Sequence, residues 1–249
     1  MVDERIASRR AVVRAERRWA RLRRTLLVLA LVLVASGAVW LERSEHVTVL
    51  TVEVVGLARL DADTVVAASG VTVGESALRL RPARIARDVS ALTLVRSASI
   101  ERVRLRRVVI TVEERAPVYV ATHRAASVLV DRDGVVLDRG SDSRLPTVRL
   151  VSPPPSPGGL VASHAALANA HRVWMGLSGP LRSRVEAMDA PDEDGLELVL
   201  RDAPLVRFGR AERLEEKVRA MGAILDDVAG SEVTVIDVRV PAFPVVRID

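Results

Sequence analysis

From Thr25 to Leu41 the chain reads TLLVLALVLVASGAVWL, seventeen residues without a charge between Arg24 and Glu42. A helix of that length rises about 25 Å, at the short end of what crosses a hydrocarbon core. Nothing polar breaks the run to give it a wet face, which argues against a core helix. Trp19 and Trp40 bracket it, one indole for each interface. Nine arginines stand within residues 1–24 against Asp3, Glu4 and Glu16, whereas the other flank, Glu42-Arg43-Ser44-Glu45, is acidic. The positive-inside rule then predicts a single-pass type II membrane protein. Residues 1–24 form a cytoplasmic basic tail, 25–41 the transmembrane helix, and the remainder lies outside the cytoplasm. A cleaved signal peptide is the competing reading, with Ser36, Gly37 and Ala38 as its cleavage site. The apolar run continues past those residues to Val39, Trp40 and Leu41, which favours an uncleaved anchor.

Charge outside the tail is balanced. Of 37 basic and 32 acidic residues, nine and three lie in the first 24, leaving 28 against 29 in the rest. A nucleic-acid-binding domain would carry its positive charge on the folded surface, with aromatics where single strands stack. Here the charge sits in the tail and aromatics are 2% of the chain, so nucleic acid is excluded as a partner. Cysteine is absent, which removes disulfides, iron–sulfur clusters and thiol chemistry and suits an exported domain folding without redox help.

Beyond the apolar run the expected class is α+β. Val47–Val55 has a strand's β-branched composition and stops at Gly56, with Leu50, Val52 and Val54 expected to face a core. Asp61 opens a short helix that ends at Ser69-Gly70, and a second helix runs around Arg81–Leu92 with Pro82 in its first turn. Val95–Leu105 and Val108–Glu114 read as strands, the latter alternating Val108, Ile110 and Val112 against Val109, Thr111 and Glu113. The order β-α-α-β-β fills residues 47–116.

Residues 117–240 read as a larger β-rich domain with two helices, and 241–249 as a C-terminal tail. Arg132-Asp133-Gly134 marks a hairpin between Ser127–Asp131 and Val135–Asp138. The prolines 153, 154, 155 and 157 with Gly158-Gly159 make a loop that cannot pair in a sheet. Ala162–Met175 is the first helix. Short strands are expected at Val185–Met188, Leu196–Leu200 and Pro204–Phe208. Ala211–Val228 is the second helix, apolar at 211, 214, 218, 221, 225 and 228. In the closing strand, Val233–Val240, residues Thr234, Ile236, Val238 and Val240 share one face, Asp237 and Arg239 the other.

Candidate chemistry is sparse. His164 and His171 stand seven residues apart, too far along a helix for one metal, and His46 and His123 have no companions at ligand spacing. Asp131-x-Asp133-Gly134 lacks the remaining oxygen ligands of a calcium loop and reads as a turn. Asp189, Asp192, Glu193 and Asp194, with Pro191 and Gly195 among them, read as a solvated loop. No nucleophile elbow, phosphate loop or dinucleotide fingerprint occurs. The expectation is a protein without catalytic residues, cofactor, metal or small-molecule substrate. A membrane-tethered envelope hydrolase using Asp189–Asp194, or a polypeptide-transport component, are the alternatives.

The order of these pieces resembles the bacterial FtsQ/DivIB cell-division family, and its β-α-α-β-β module resembles that family's POTRA domain. The likeness rests on V-E-V-V-G (Val52–Gly56), the Val73-Gly74 turn, I-T-V-E-E-R-A-P (Ile110–Pro117) and L-V-D-R-D-G-V-V-L (Leu129–Leu137). Phe208-Gly209 with Lys217, and I-D-V-R-V-P (Ile236–Pro241), extend it to the C-terminal segment. Two positions depart from the pattern. The hairpin corner is Leu105-Arg106-Arg107 rather than a Trp-Pro type pair, and Val240 stands where some lineages have an aromatic. The resemblance implies a non-catalytic divisome scaffold at the division septum. Its β domain would bind FtsB and FtsL and link them to the septal peptidoglycan synthases FtsW and FtsI. The site expected for that contact is Val235, Ile236, Asp237, Val238, Arg239 and Val240, on a last strand at a sheet edge that pairs with a partner strand.

Overall fold

A computed structural model describes residues 23–37, 39–40, 48–103, 106–201, 204–227 and 233–248. Most of the basic tail, Trp19, the acidic flank 42–45, His46 and Leu105 lie outside the described residues. Residues 23–37 and 39–40 are helical (α1), and their leucine and valine side chains are exposed. Among the described residues no helix is long and apolar enough to cross a membrane.

Two compact units follow, with residues 90–96 and everything from Glu113 onward belonging to the second. In the first unit, β1 (Thr51–Val55), α2 (Ala62–Ser69), α3 (Pro82–Ser90), β2 (Val95–Val103) and β3 (Arg107–Glu114) follow the expected order. Their strands form a three-stranded sheet β1-β3-β2, with β1 and β3 parallel. Strict alternation on β3 buries Val108, Ile110 and Val112. Helix α2 ends where Gly70 takes a left-handed conformation (φ 65°) and its N–H meets the Ala67 carbonyl. Helix α3 buries Ile85 and Val89, one turn apart, and turns Arg84 and Asp88 outward as an i,i+4 pair. The expected inward face of the first strand is corrected. The strand starts at Thr51, Leu50 before it is half exposed, and Val52 and Val54 are partly buried.

In the second unit one nine-stranded sheet has the order β12-β11-β10-β9-β8-β7-β4-β5-β6. Its strands are β4 (Pro117–His123), β5 (Ala126–Asp131), β6 (Val136–Arg139), β7 (Thr147–Leu150), β8 (Val185–Ala190), β9 (Glu197–Leu200), β10 (Leu205–Arg207), β11 (Val233–Asp237) and β12 (Val245–Ile248). Parallel neighbours need crossovers. The β7–β8 crossover carries α4 (Ala165–Gly176) and α5 (Gly179–Arg184), and the β10–β11 crossover carries α6 (Leu214–Asp227). Among the described residues the unit thus has three α-helices rather than two; α5 is a six-residue, Gly-Pro-led helix too short to show apolar periodicity. Tyr119 and Ala121 enter the main core with Leu167, Val173, Trp174, Met221 and Leu225 from α4 and α6. Val120, Leu129 and Leu137 point to the opposite face, where Leu94 and Leu145 cover them.

Both sheet edges depart from expectation. At one end the Pro-rich loop does join the sheet, through its glycines. The Gly158 N–H donates to the Val136 carbonyl and the Val136 N–H to that of Gly159, covering β6. At the other end residues 241–249 are not merely a tail, because β12 pairs antiparallel with β11.

Gly56, which closes β1, has φ +88°, and a Cβ there would stand 2.0 Å from the Val112 carbonyl oxygen. Backbone on β3 cannot yield to a side chain. Gly56→Ala is therefore expected to destabilise the first unit by at least about 2 kcal/mol, read as a lower midpoint in urea denaturation of the full chain. An unchanged midpoint would refute the close approach.

Candidate partner-binding edge

Strand β11 is not the sheet's edge. It lies between β10, parallel to it, and β12, antiparallel to it, so its N–H and C=O groups are engaged on both sides. The strand also ends earlier than expected, at Asp237. Of the six residues singled out there, Ile236 and Val238 are buried in the core and Val235 is partly buried against β12. Val240, expected on the inward face, is exposed because the chain has left the ladder by then. The six do not form one surface. Asp237, Arg239 and Val240 reach solvent while Ile236 and Val238 serve packing.

Asp237 and Arg239 are brought together as a local fork. Asp237 Oδ1 accepts the Arg239 backbone N–H at 3.0 Å, Nε donates to both carboxylate oxygens at 3.0 Å, and Nη2 donates to Oδ2 at 2.6 Å. Hydrogen bonds from Arg239 hold the Asp237 carboxyl below the usual carboxylate range. An exposed pair of this kind adds about 0–1 kcal/mol to stability; its effect is to fix where the guanidinium points. The arginine stem lies close against Gly209, where a side chain would crowd it. A Cβ at Gly209 (φ +70°) would stand 3.2 Å from Arg239 Cγ. The Phe208-Gly209 and Asp237-Val238-Arg239 motifs are thus two halves of one contact.

The loop carrying Gly209 is clamped by two buried polar side chains. Lys217 Nζ, on α6, donates to the carbonyls of Phe208 (3.1 Å) and Arg210 (2.8 Å) and stands over the Phe208 ring. Asn169, on α4, donates to the Gly209 carbonyl at 3.0 Å and accepts the Ala211 N–H at 2.8 Å. These bonds satisfy groups that burial would otherwise leave unpaired. Arg213, with φ 51°, delays the start of α6 to Leu214 and frees Ala211 for that contact. Burial pushes the Lys217 amine below its ordinary value. Asn169 gave no sequence signal, since its partner lies 42 residues away.

Beyond β11 the bare edge is β12, all four of whose residues are exposed. Phe243 is 79% exposed, Val245 62% and Ile248 66%. An edge strand that shows apolar side chains and one free row of backbone groups can pair with another chain.

The remaining candidates are accounted for by arginines and turns. Asp131 is fully buried. It accepts the N–H groups of Asp133 and Val135 at 2.9 and 2.8 Å and Arg115 Nη1 at 2.6 Å, with Arg96 Nη2 at 3.6 Å. Asp133 faces the same two guanidinium groups, Arg96 at 3.1 Å and Arg115 at 2.8 Å. In the acidic loop, Asp189 pairs with Arg149, Glu193 and Asp194 pair with Arg210, and Asp192 caps the turn at Asp194 and Gly195. Arg210 holds the Asp194 carboxyl down, the opposite of what a general acid needs. His164 caps α4 by accepting the Leu167 N–H, and His123 bonds the Leu150 carbonyl. His171 Nδ1 meets the buried Tyr119 hydroxyl at 3.1 Å. Burial, aided by the charge of Asp131, raises the Tyr119 hydroxyl pKa, so it is held neutral. Among the described residues no three His, Asp or Glu side chains form a metal-holding group.

Residues 47–115 match the model of the FtsQ-type POTRA domain, and residues 118–239 match that of the cell division protein FtsQ/DivIB C-terminal domain. The chain is 30% identical over 197 residues to the cell division protein FtsQ of Mycolicibacterium smegmatis, covering 79% of this chain and 56% of that protein. It is 27% identical over 223 residues to that of Mycobacteroides abscessus, covering 89% and 68%. With that of Corynebacterium glutamicum it shares 22% over 174 residues, covering 70% and 77%. The chain thus spans little more than half the length of the first of these relatives.

Two outcomes follow from the buried polar groups. Lys217→Met leaves the Phe208 and Arg210 carbonyls without their amine, and a loss of about 2–3 kcal/mol is expected in urea denaturation. An undiminished midpoint would sink the clamp. His171 is partly buried, and its pKa is lowered chiefly by desolvation and only partly restored by Asp131. Its contribution is present above the unfolded value near 6.5 and lost as pH falls below it. Thermal midpoints should hold above pH 7 and drop as pH falls below about 6.5, and His171→Gln should flatten that step. A step that persists in His171→Gln would assign it to another group.

Proposed function

Because the chain belongs to the FtsQ/DivIB family of cell-division proteins, we propose that it is a membrane-anchored, non-catalytic divisome scaffold. It binds FtsB and FtsL and through them reaches the septal synthases FtsW and FtsI. The observation that carries this reading is the bare β12 edge with Phe243, Val245 and Ile248 exposed beside it. A partner strand added there gains backbone hydrogen bonds along the edge and apolar contact on alternate side chains. Asp237 and Arg239 flank that edge, and the oriented guanidinium suits a partner carboxylate. The contact thus extends from the predicted residues 235–240 to β12, which lies beyond the matched family segment.

The anchor is the charge-free run 25–41. Support comes from its lack of charge, the arginine cluster before it, and the exposure of the leucines and valines at positions 26–34 and 39, a surface that water does not favour and lipid does. The N-terminus is then cytoplasmic and both units face the cell envelope.

The test is co-purification and titration of the full-length chain with FtsB and FtsL from the same source. Phe243→Ala and Val245→Asp are each expected to weaken the complex at least about tenfold, roughly 1.4 kcal/mol. Arg239→Glu should weaken it by a smaller factor. All three leave buried groups untouched, so circular dichroism should be unchanged. Full-strength binding by every variant would remove the contact from this edge.

A further inference from the structure

The first unit carries a surface that the scaffold reading does not use. Thr48 and Val49, the first described residues of that unit, pair with the loop before α3. Thr48 bridges Ser76, the Val49 N–H donates to the Glu75 carbonyl at 2.8 Å, and the Gly74 N–H donates to the Val49 carbonyl at 2.9 Å. Those bonds hold loop 72–80 at the point where the chain comes into the unit. The loop shows two apolar side chains to solvent, Val73 at 65% and Leu78 at 48% exposure. Next to them Arg79, Arg81 and Arg84 line a recess of about 380 Å³ together with Glu75 and Asp88. Arg87 is exposed on the same helix.

Charge is divided along the chain in the same sense. Residues 48–89 and 97–112 hold nine basic and six acidic residues, whereas 90–96 and 113–249 hold 18 and 21. The positive unit is therefore the one that follows the apolar run. From Trp40 to Thr48 the chain has eight residue steps, which reach at most about 28 Å when fully extended. If one end is in the bilayer, loop 72–80 is confined to about that distance from its surface.

We propose that loop 72–80 and the start of α3 form a membrane-docking surface for anionic phospholipid headgroups, with Val73 and Leu78 entering the interfacial layer. This rests on the reading of residues 25–41 as a membrane anchor. Arginine guanidinium groups bind phosphate by paired N–H donors, and a cation near an anionic leaflet gains enough to shift the docked population about fivefold. Apolar tips between such cations are how a peripheral surface holds to a headgroup layer. Docking of this kind restricts the orientation of the first unit relative to the bilayer without adding a second span.

The absence of cysteine makes a clean test possible. A single cysteine at the exposed Thr72 is labelled with an environment-sensitive fluorophore in the full-length chain. The protein is placed in nanodiscs of phosphatidylcholine alone or with about one third phosphatidylglycerol. Co-elution of the protein with lipid reports the anchor independently of the label. With anchoring established, a blue shift in the anionic discs, reversed by high salt and reduced about fivefold in docked population for each of Arg79→Gln, Arg81→Gln and Arg84→Gln, is expected. Equal emission in both lipids, or a shift untouched by the arginine variants, overturns the proposal. So does an equal shift produced in phosphatidylcholine discs by soluble polyphosphate, which would make the ligand a free phosphate polymer and not the bilayer. Failure to co-elute with lipid would instead overturn the anchor reading and the proposal with it.

Discussion

A buried carboxylate sets the terms for the second unit. Asp131 has no exposure, and a carboxyl group in that position is tolerated only when its oxygens are met by donors. Two backbone N–H groups from its own turn and the guanidinium of Arg115 meet them, with Arg96 close behind. The consequence is geometric. The hairpin of β5 and β6, the residue that leads into β4, and the segment around Val95 have to meet at one point, because Arg115 Nε also donates to the Val95 carbonyl. Tyr119 and His171 pack beside this cluster, and their protonation is biased by its charge as well as by burial. Packing of the first strands against α4 therefore depends on a charge that could not stay buried alone.

From that corner the sheet grows in one direction through three parallel pairings and ends at β12. Parallel pairing forces crossovers, and the crossovers bring α4 and α6 onto one core. Those two helices in turn supply Asn169 and Lys217, which hold the loop that seats Arg239. The sheet's two ends are treated differently. Gly158 and Gly159 occupy the β6 end, whereas β12 is left bare with apolar side chains on display. A bare apolar edge invites aggregation unless something pairs with it, which is why the proposed partner contact is placed there.

Membership of the FtsQ/DivIB family ties these features to cell division. Asp189 and Asp194 are matched by arginines, His164 caps α4, and the partly buried His171 bonds the buried Tyr119 hydroxyl. Charge is distributed as the topology would use it, positive in the unit next to the apolar run and negative in the unit that carries the bare edge.

Much of the local organisation was legible in the sequence. The β-α-α-β-β order, the alternation of Val108, Ile110 and Val112, the Asp133-Gly134 turn and the apolar stripe of α6 are all written in neighbouring residues, because periodicity and turn stereochemistry act over a few positions. The Phe208-Gly209 and Asp237-Val238-Arg239 motifs were visible as well, but not as halves of one contact. What only the tertiary structure decided was who neighbours whom. Strand β11 looked like an edge because it is the last long apolar run, yet four exposed residues beyond a turn cover it. Asn169, Arg96 and Arg115 acquired their roles from partners 16 to 42 residues away. A backbone N–H or a carboxylate states in sequence that it must be satisfied when buried; it does not state by whom, since that follows from sheet register and crossover path, which are settled only when the whole chain packs.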